Sequence, residues 1–187
     1  MKFKRAVLMG DSITEMWSME RPEFFEKYEF INRGISGQVT GEMLQRFQQD
    51  VIKESPDAVV ILGGINDIAQ NQGYISIPDI ASNIRKMAEI ALSYDIRVWL
   101  CSVLPASDFP WNPGLDPAAK VRELNRLILS ISEDMKLTYV DYYSEMVDEN
   151  GGLQVPIYTT ADDLVHPNAA GFAVMESVLI KAIKGSL

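Results

Sequence analysis

Cysteine and histidine each occur once in the chain, as Cys101 and His166. A lone cysteine excludes an internal disulfide and any thiolate metal site. Set in the apolar run Arg97-Val98-Trp99-Leu100-Cys101-Ser102-Val103, it reads as a buried core thiol. No stretch approaches the ~20 apolar residues of a membrane span, so no membrane insertion is expected. Behind the basic start, Met1 to Arg5, only Ala6 to Met9 is apolar. That is too short for the apolar region of a signal peptide, and the expected location is the cytoplasm unless a leader was removed. Positive charge is scarce as well. Against 26 Asp and Glu stand 17 Lys and Arg, a net charge of −9, which argues against nucleic acid as a partner. Neither Gly-x-Gly-x-x-Gly nor Gly-x-x-x-x-Gly-Lys-[Ser/Thr] is present, so a nucleotide-binding module would lack its usual phosphate loop.

What the chain does contain is a regular alternation. Short apolar runs at Ala6–Met9, Tyr28–Ile31, Ala58–Leu62, Val98–Val103 and Thr138–Val140 suit strands covered on both faces. Amphipathic stretches at Gly41–Glu54, Pro78–Tyr94, Pro117–Met135 and Asn168–Ile183 place apolar residues three to five apart, as helices do. Strand–helix alternation implies parallel strands and right-handed crossovers, hence a three-layer α/β/α sandwich. Five strands suit a flavodoxin-like order, 2-1-3-4-5. With no repeat, low-complexity tract or linker, residues 1–187 are expected to form a single domain. Two connections are longer than packing requires, Leu104–Gly114 and Tyr142–Pro167, and long ordered loops tend to be functional.

Four short blocks sit at the carboxyl ends of expected strands. Gly10-Asp11-Ser12-Ile13-Thr14 follows the first strand. A serine there is exposed, and its backbone N–H lies at a helix N-terminus, where negative charge is favoured. By itself, Ser12-Ile13-Thr14-Glu15 reads equally well as a capping box. Asn32-Arg33-Gly34-Ile35-Ser36-Gly37-Gln38 follows the second strand and offers glycine N–H groups, or a plain turn. Gly63-Gly64-Ile65-Asn66-Asp67 follows the third; the Asn66 carboxamide is a candidate oxyanion donor, and Asp67 a cap for the next segment. In Asp162-Asp163-Leu164-Val165-His166-Pro167, Asp163 and His166 are three apart, so a turn brings the carboxylate to Nδ1 and frees Nε2 for a serine. Asp162 is one residue off that spacing. The rival is a surface histidine before a helix start. In the 2-1-3-4-5 order, Ser12, the Gly34–Gly37 turn and Asn66 share one crevice at the switch point, and the Tyr142–Pro167 connection brings Asp163 and His166 back towards it.

These blocks resemble those of the SGNH (GDSL) hydrolases from about Arg5 to Ile180. Asn32-Arg33-Gly34-Ile35-Ser36-Gly37, Val59-Val60-Ile61-Leu62-Gly63-Gly64 and Asp141-Tyr142-Tyr143 are similar to bacterial GDSL-like lipase/acylhydrolase proteins. The resemblance implies a flavodoxin-like SGNH fold, an acyl-enzyme mechanism, no metal or organic cofactor, and a small-molecule ester as substrate. Carried over by block, it implies Ser12 as nucleophile, His166 as base and Asp163 as its orienting acid. The oxyanion hole would be the Ser12 N–H, the Gly37 N–H (or that of Gly34) and the Asn66 side chain. Short-chain acyl esters, acetyl foremost and those on carbohydrates among them, are the expected substrates. A lysophospholipase or acyl-thioesterase is the alternative, with Met16, Trp17 and Met19 shaping a lipid groove. A non-catalytic flavodoxin-like binding module is the rival from another class. Phe109 and Trp111 are candidates for the rim of the site, while Arg33 and Arg122 read as solvated.

Overall fold

A computed structural model describes residues 5–185, so the basic start before Arg5 lies outside the described residues. The elements run β1 (Ala6–Gly10), α1 (Ser12–Glu20), α2 (Pro22–Tyr28), β2 (Phe30–Gly34), α3 (Thr40–Asp50), a 3-10 turn (Ile52–Glu54) and β3 (Ala58–Ile61). They continue with α4 (Ile65–Ile68), α5 (Ile77–Ser93), β4 (Arg97–Cys101), α6 (Pro117–Met135), β5 (Thr138–Val140), α7 (Tyr143–Met146) and α8 (Ala169–Gly185). The sheet has five parallel strands in the order β2-β1-β3-β4-β5. Helices α1, α2 and α8 pack together on one face; α3, α5 and α6 cover the other. This is the expected three-layer α/β/α sandwich.

The strands are apolar throughout because helices cover both faces. Every residue of β1 and β3 is buried. Register aligns Gly10 with Gly34 and Met9 with Ile61, so the carboxyl ends of β1, β2 and β3 end at one level. On the α1 side, Trp17 is 1% exposed, stacked on Phe24 at 5.4 Å and on Phe172 at 6.1 Å. That aromatic cluster fixes α1, α2 and α8 against one another.

Element boundaries shift where local chemistry overrides pattern. The strand expected from Tyr28 begins at Phe30, because Pro22 opens a helix that Tyr28 closes and Glu29 ends in a left-handed conformation (φ 53°). The helix expected over Gly41–Glu54 stops at Asp50 and tightens into the 3-10 turn. The strand expected to reach Val103 ends at Cys101. Helices α1, α2, α4 and α7 are too short, or too uniformly buried, to show a periodic stripe.

Candidate active site

The first strand ends at Gly10, and the chain turns at Asp11 into α1. The expected capping box is not formed. Asp11 is the N-cap, its Oδ1 accepting from the Ile13 N–H at 3.1 Å. Ser12 therefore occupies the first helical position with its hydroxyl free to face the carboxyl edge of the sheet. Its Oγ lies 2.9 Å from His166 Nε2. Glu15 caps nothing either: its carboxylate accepts from the Ser36 N–H at 3.0 Å and from the Ser36 hydroxyl. It thus ties the turn after β2 to the helix that carries Ser12.

His166 and Asp163 come from the long connection after β5. Asp163 Oδ1 accepts from the His166 N–H at 2.8 Å and the Val165 N–H at 3.1 Å, and His166 Nδ1 sits 2.9 Å from the same oxygen. The turn that closes this loop puts Leu164 at φ 66°, a conformation costly for a β-carbon-bearing residue. Asp162 is exposed and does not line the pocket. The buried Thr159 hydroxyl donates to the His166 carbonyl at 2.9 Å and clamps the backbone beneath the ring. With Nδ1 held by a carboxylate, Nε2 is left to accept a proton from Ser12.

Two further groups of the same pocket come from the turn after β2 and from α4. Asn66 is 4% exposed; its Nδ2 donates to the Gln38 carbonyl at 3.0 Å, which leaves the second amide hydrogen free. Gly37 (φ 77°) lines the same pocket as Ser12, Asn66 and His166. Gly34 is used otherwise. Its N–H donates to Asn32 Oδ1 at 2.7 Å, and a Cβ there would run into the backbone of Glu15. Asp67, expected as a cap, is buried and instead accepts from the Thr40 N–H at 2.8 Å and the Thr40 hydroxyl at 2.7 Å, pinning the start of α3 beside Asn66. Burial raises its carboxyl above the ordinary range, and the two Thr40 bonds oppose this. Burial also pushes Asp11 up to about 7, with nearby Asp67 adding to the effect, while the Ile13 N–H and Arg46 work against it.

Such an arrangement of hydroxyl, imidazole and carboxylate, in one pocket with Gly37 and Asn66, is suited to acyl transfer. The sequence matches the GDSL-like Lipase/Acylhydrolase family over residues 8–174. The chain belongs to that family. It is a hydrolase of ester bonds. A GDSL-like lipase of Bacteroides thetaiotaomicron is 43% identical, with a TM-score of 0.93, over 98% of this chain and 89% of that one. An acetylxylan esterase of Geobacillus stearothermophilus is 22% identical over 162 residues, which are 82% of this chain and 71% of that protein. The crystal structure of an acetylxylan esterase from Geobacillus stearothermophilus, 19% identical, superposes with a TM-score of 0.76 over 98% and 96% of the two chains.

Around Ser12 lies a pocket of about 390 Å³ whose walls are Met16, Ser36, Gly37, Asn71 and Trp111 besides Asn66 and His166. It adjoins a larger, more polar cleft of about 750 Å³, bordered by Gln38, Gln70, Asn71, Gln72 and Asn112. Ser36, Gly37, Asn71 and Trp111 line both. Trp111 is 47% exposed, its ring 6.4 Å from that of His166, whereas Phe109 beneath it is fully buried. Only one of the two aromatic candidates rims the site. Of the three residues after the serine, Met16 alone lines the pocket; Trp17 is core and Met19 is 69% exposed. Arg33 pairs with Glu54, and Arg122 is exposed; neither lines the pocket. Among the described residues, no group of three or more His, Cys, Asp or Glu is placed to hold a metal ion. Thr159 and Asn71 escaped the sequence reading, and Glu15 entered it only as part of a capping box, because each acts across loops that only the fold brings together.

Proposed function

We propose that the chain is a serine esterase that removes short acyl groups, acetyl foremost, from carbohydrate hydroxyls through an acyl-enzyme on Ser12. The observation that carries this is the 2.9 Å approach of Ser12 Oγ to His166 Nε2, with Nδ1 held by Asp163. Ser12 Oγ attacks the ester carbonyl as its proton passes to Nε2. The negative oxygen sits among the N–H groups of Ser12, Gly37 and Asn66. Collapse expels the alcohol, which takes the proton from His166, and leaves the acyl group on Oγ. Water then attacks with His166 again taking the proton, and the carboxylic acid and free serine are released.

Two features support a small acyl group and a polyhydroxylated alcohol. The pocket beside Ser12 holds about 390 Å³, with Met16 and Trp111 as apolar side chains, room for a short acyl group, and each further methylene gains ~0.8 kcal/mol only where it is buried. The adjoining cleft presents side-chain amides, which both donate to and accept from hydroxyl groups, next to an exposed tryptophan able to stack on a sugar ring. The acetylxylan esterase relative points the same way.

The test pairs a fluorophosphonate probe with a substrate series. Wild type should take the label on Ser12, and Ser12→Ala should not. kcat/KM should fall at least tenfold from p-nitrophenyl acetate to the octanoate, and acetate should be released from acetylated xylo-oligosaccharides. An unlabelled wild type would overturn the mechanism; preference for the octanoate would overturn the substrate class.

A further inference from the structure

A side-chain amide presents two ends of nearly equal shape and opposite polarity. Asn66 serves an oxyanion only when its NH₂ end faces the pocket; turned over, its carbonyl would repel the charge it should stabilise. What sets its orientation is a chain of hydrogen bonds that starts at an unambiguous donor. The indole N–H of Trp111 can only donate, and it lies 3.1 Å from the side chain of Asn71, whose facing atom must therefore be Oδ1. That leaves Asn71 Nδ2 directed at Asn66, 2.9 Å from Oδ1. From the other side, the Gln38 carbonyl can only accept, and it takes the Asn66 Nδ2 at 3.0 Å. The Asn71 backbone N–H also donates to the Asn66 carbonyl at 3.0 Å, which holds the two residues in register.

We infer that Asn71, with its own polarity fixed by Trp111, is a positioning residue that holds the Asn66 carboxamide with its N–H towards the oxyanion. This rests on the esterase reading above and adds to it a residue outside the four sequence blocks. It acts in the transition state, because the orientation of Asn66 matters most when the carbonyl oxygen becomes charged. Trp111 also stands over the base, so the loop between β4 and α6 orders both halves of the site.

The test is a set of variants assayed with p-nitrophenyl acetate. Asn71→Asp keeps the shape but replaces the donor by an acceptor facing Asn66 Oδ1. It should lower kcat about 10- to 50-fold with KM changed less than about threefold. Asn71→Ala, which removes the bond without reversing it, should lower kcat less. Trp111→Phe keeps a ring and loses only the N–H, and should lower kcat about 3- to 10-fold. In an Asn66→Ala background, already down about 10²–10³-fold, Asn71→Asp should lower kcat several-fold less than it does in the wild-type background, the remainder reflecting its contact with the Gly37 carbonyl at 3.5 Å. Wild-type kcat in both Asn71→Asp and Trp111→Phe, or an equal loss with and without Asn66, would overturn the inference. So would failure of Asn71→Asp to fold, if Trp111→Phe folds and retains full kcat. A wild type that neither takes the fluorophosphonate nor cleaves the ester would instead sink the esterase reading on which it rests.

Discussion

Asp11 sits directly before Ser12 with one carboxylate oxygen bound to the Ile13 N–H and the other, Oδ2, buried with no hydrogen-bond partner. An ionised carboxylate in that position is poorly solvated, which is why its pKa rises from 3.8 to about 7. The sign of the consequence follows from linkage. Below about pH 4 the group is protonated in both folded and unfolded chains. Between 4 and 7 the unfolded chain releases the proton and the folded chain keeps it, so stability falls as pH rises and levels off above 7. Asp11→Asn removes this titration. Relative to wild type, the variant should gain up to about 4 kcal/mol in unfolding free energy between pH 4 and pH 8. Urea unfolding of both proteins at the two pH values checks it, and a constant difference would refute the buried charge. The cost is accepted at a position that caps α1 and aims Ser12.

At the scale of elements, the site is an assembly of strand ends and the turns that leave them. The turn after β2 must pass within backbone distance of α1, and Gly34 makes that possible. Its missing side chain is where the Glu15 backbone lies, and Asn32 fastens the contact with bonds to the Thr14 carbonyl at 2.6 Å and the Ser18 hydroxyl at 2.7 Å. Gly34→Ala should therefore push β2 away from α1, lower thermal stability by about 2 kcal/mol or more, and reduce esterase turnover by displacing the Ser36–Gly37 turn. A melting curve and a kcat measurement on the same preparation would show both losses together. Unchanged melting would mean that the two elements are not in contact.

For the molecule as a whole, the net charge of −9 sets the field in which substrates arrive. The cleft beside Ser12 is bordered by amides, an aromatic ring and Glu42, with no Lys or Arg on it among the described residues. A neutral acetylated oligosaccharide should feel little of this field, whereas an acetylated uronic-acid polymer should be repelled. Raising salt from 20 to 300 mM should then increase kcat/KM several-fold for the anionic ester and leave the neutral one within about 1.5-fold, since the Debye length shrinks across that range. Equal salt response for the two substrates would contradict the argument.

The fold was legible because apolar runs and amphipathic stripes are local consequences of burial: Val59-Val60-Ile61 has to be covered on both faces, and the α6 stripe Val121, Leu124, Ile128 and Ile131 has to face the sheet. Ser12, Asn66 and His166 were legible because strand ends are where such side chains can be presented, and because the chain has no other imidazole. The partners were not. Whether Glu15 would cap a helix or tether Ser36, whether Gly34 or Gly37 would keep a free N–H, and whether Asn71 would face Asn66 all depend on which loops meet over the sheet edge. Sequence carries the residue types and the local periods from which the layers follow. Hydrogen bonds between segments tens of residues apart exist only once the layers have packed, so the orientation of each donor and acceptor at the site was decided by the tertiary structure.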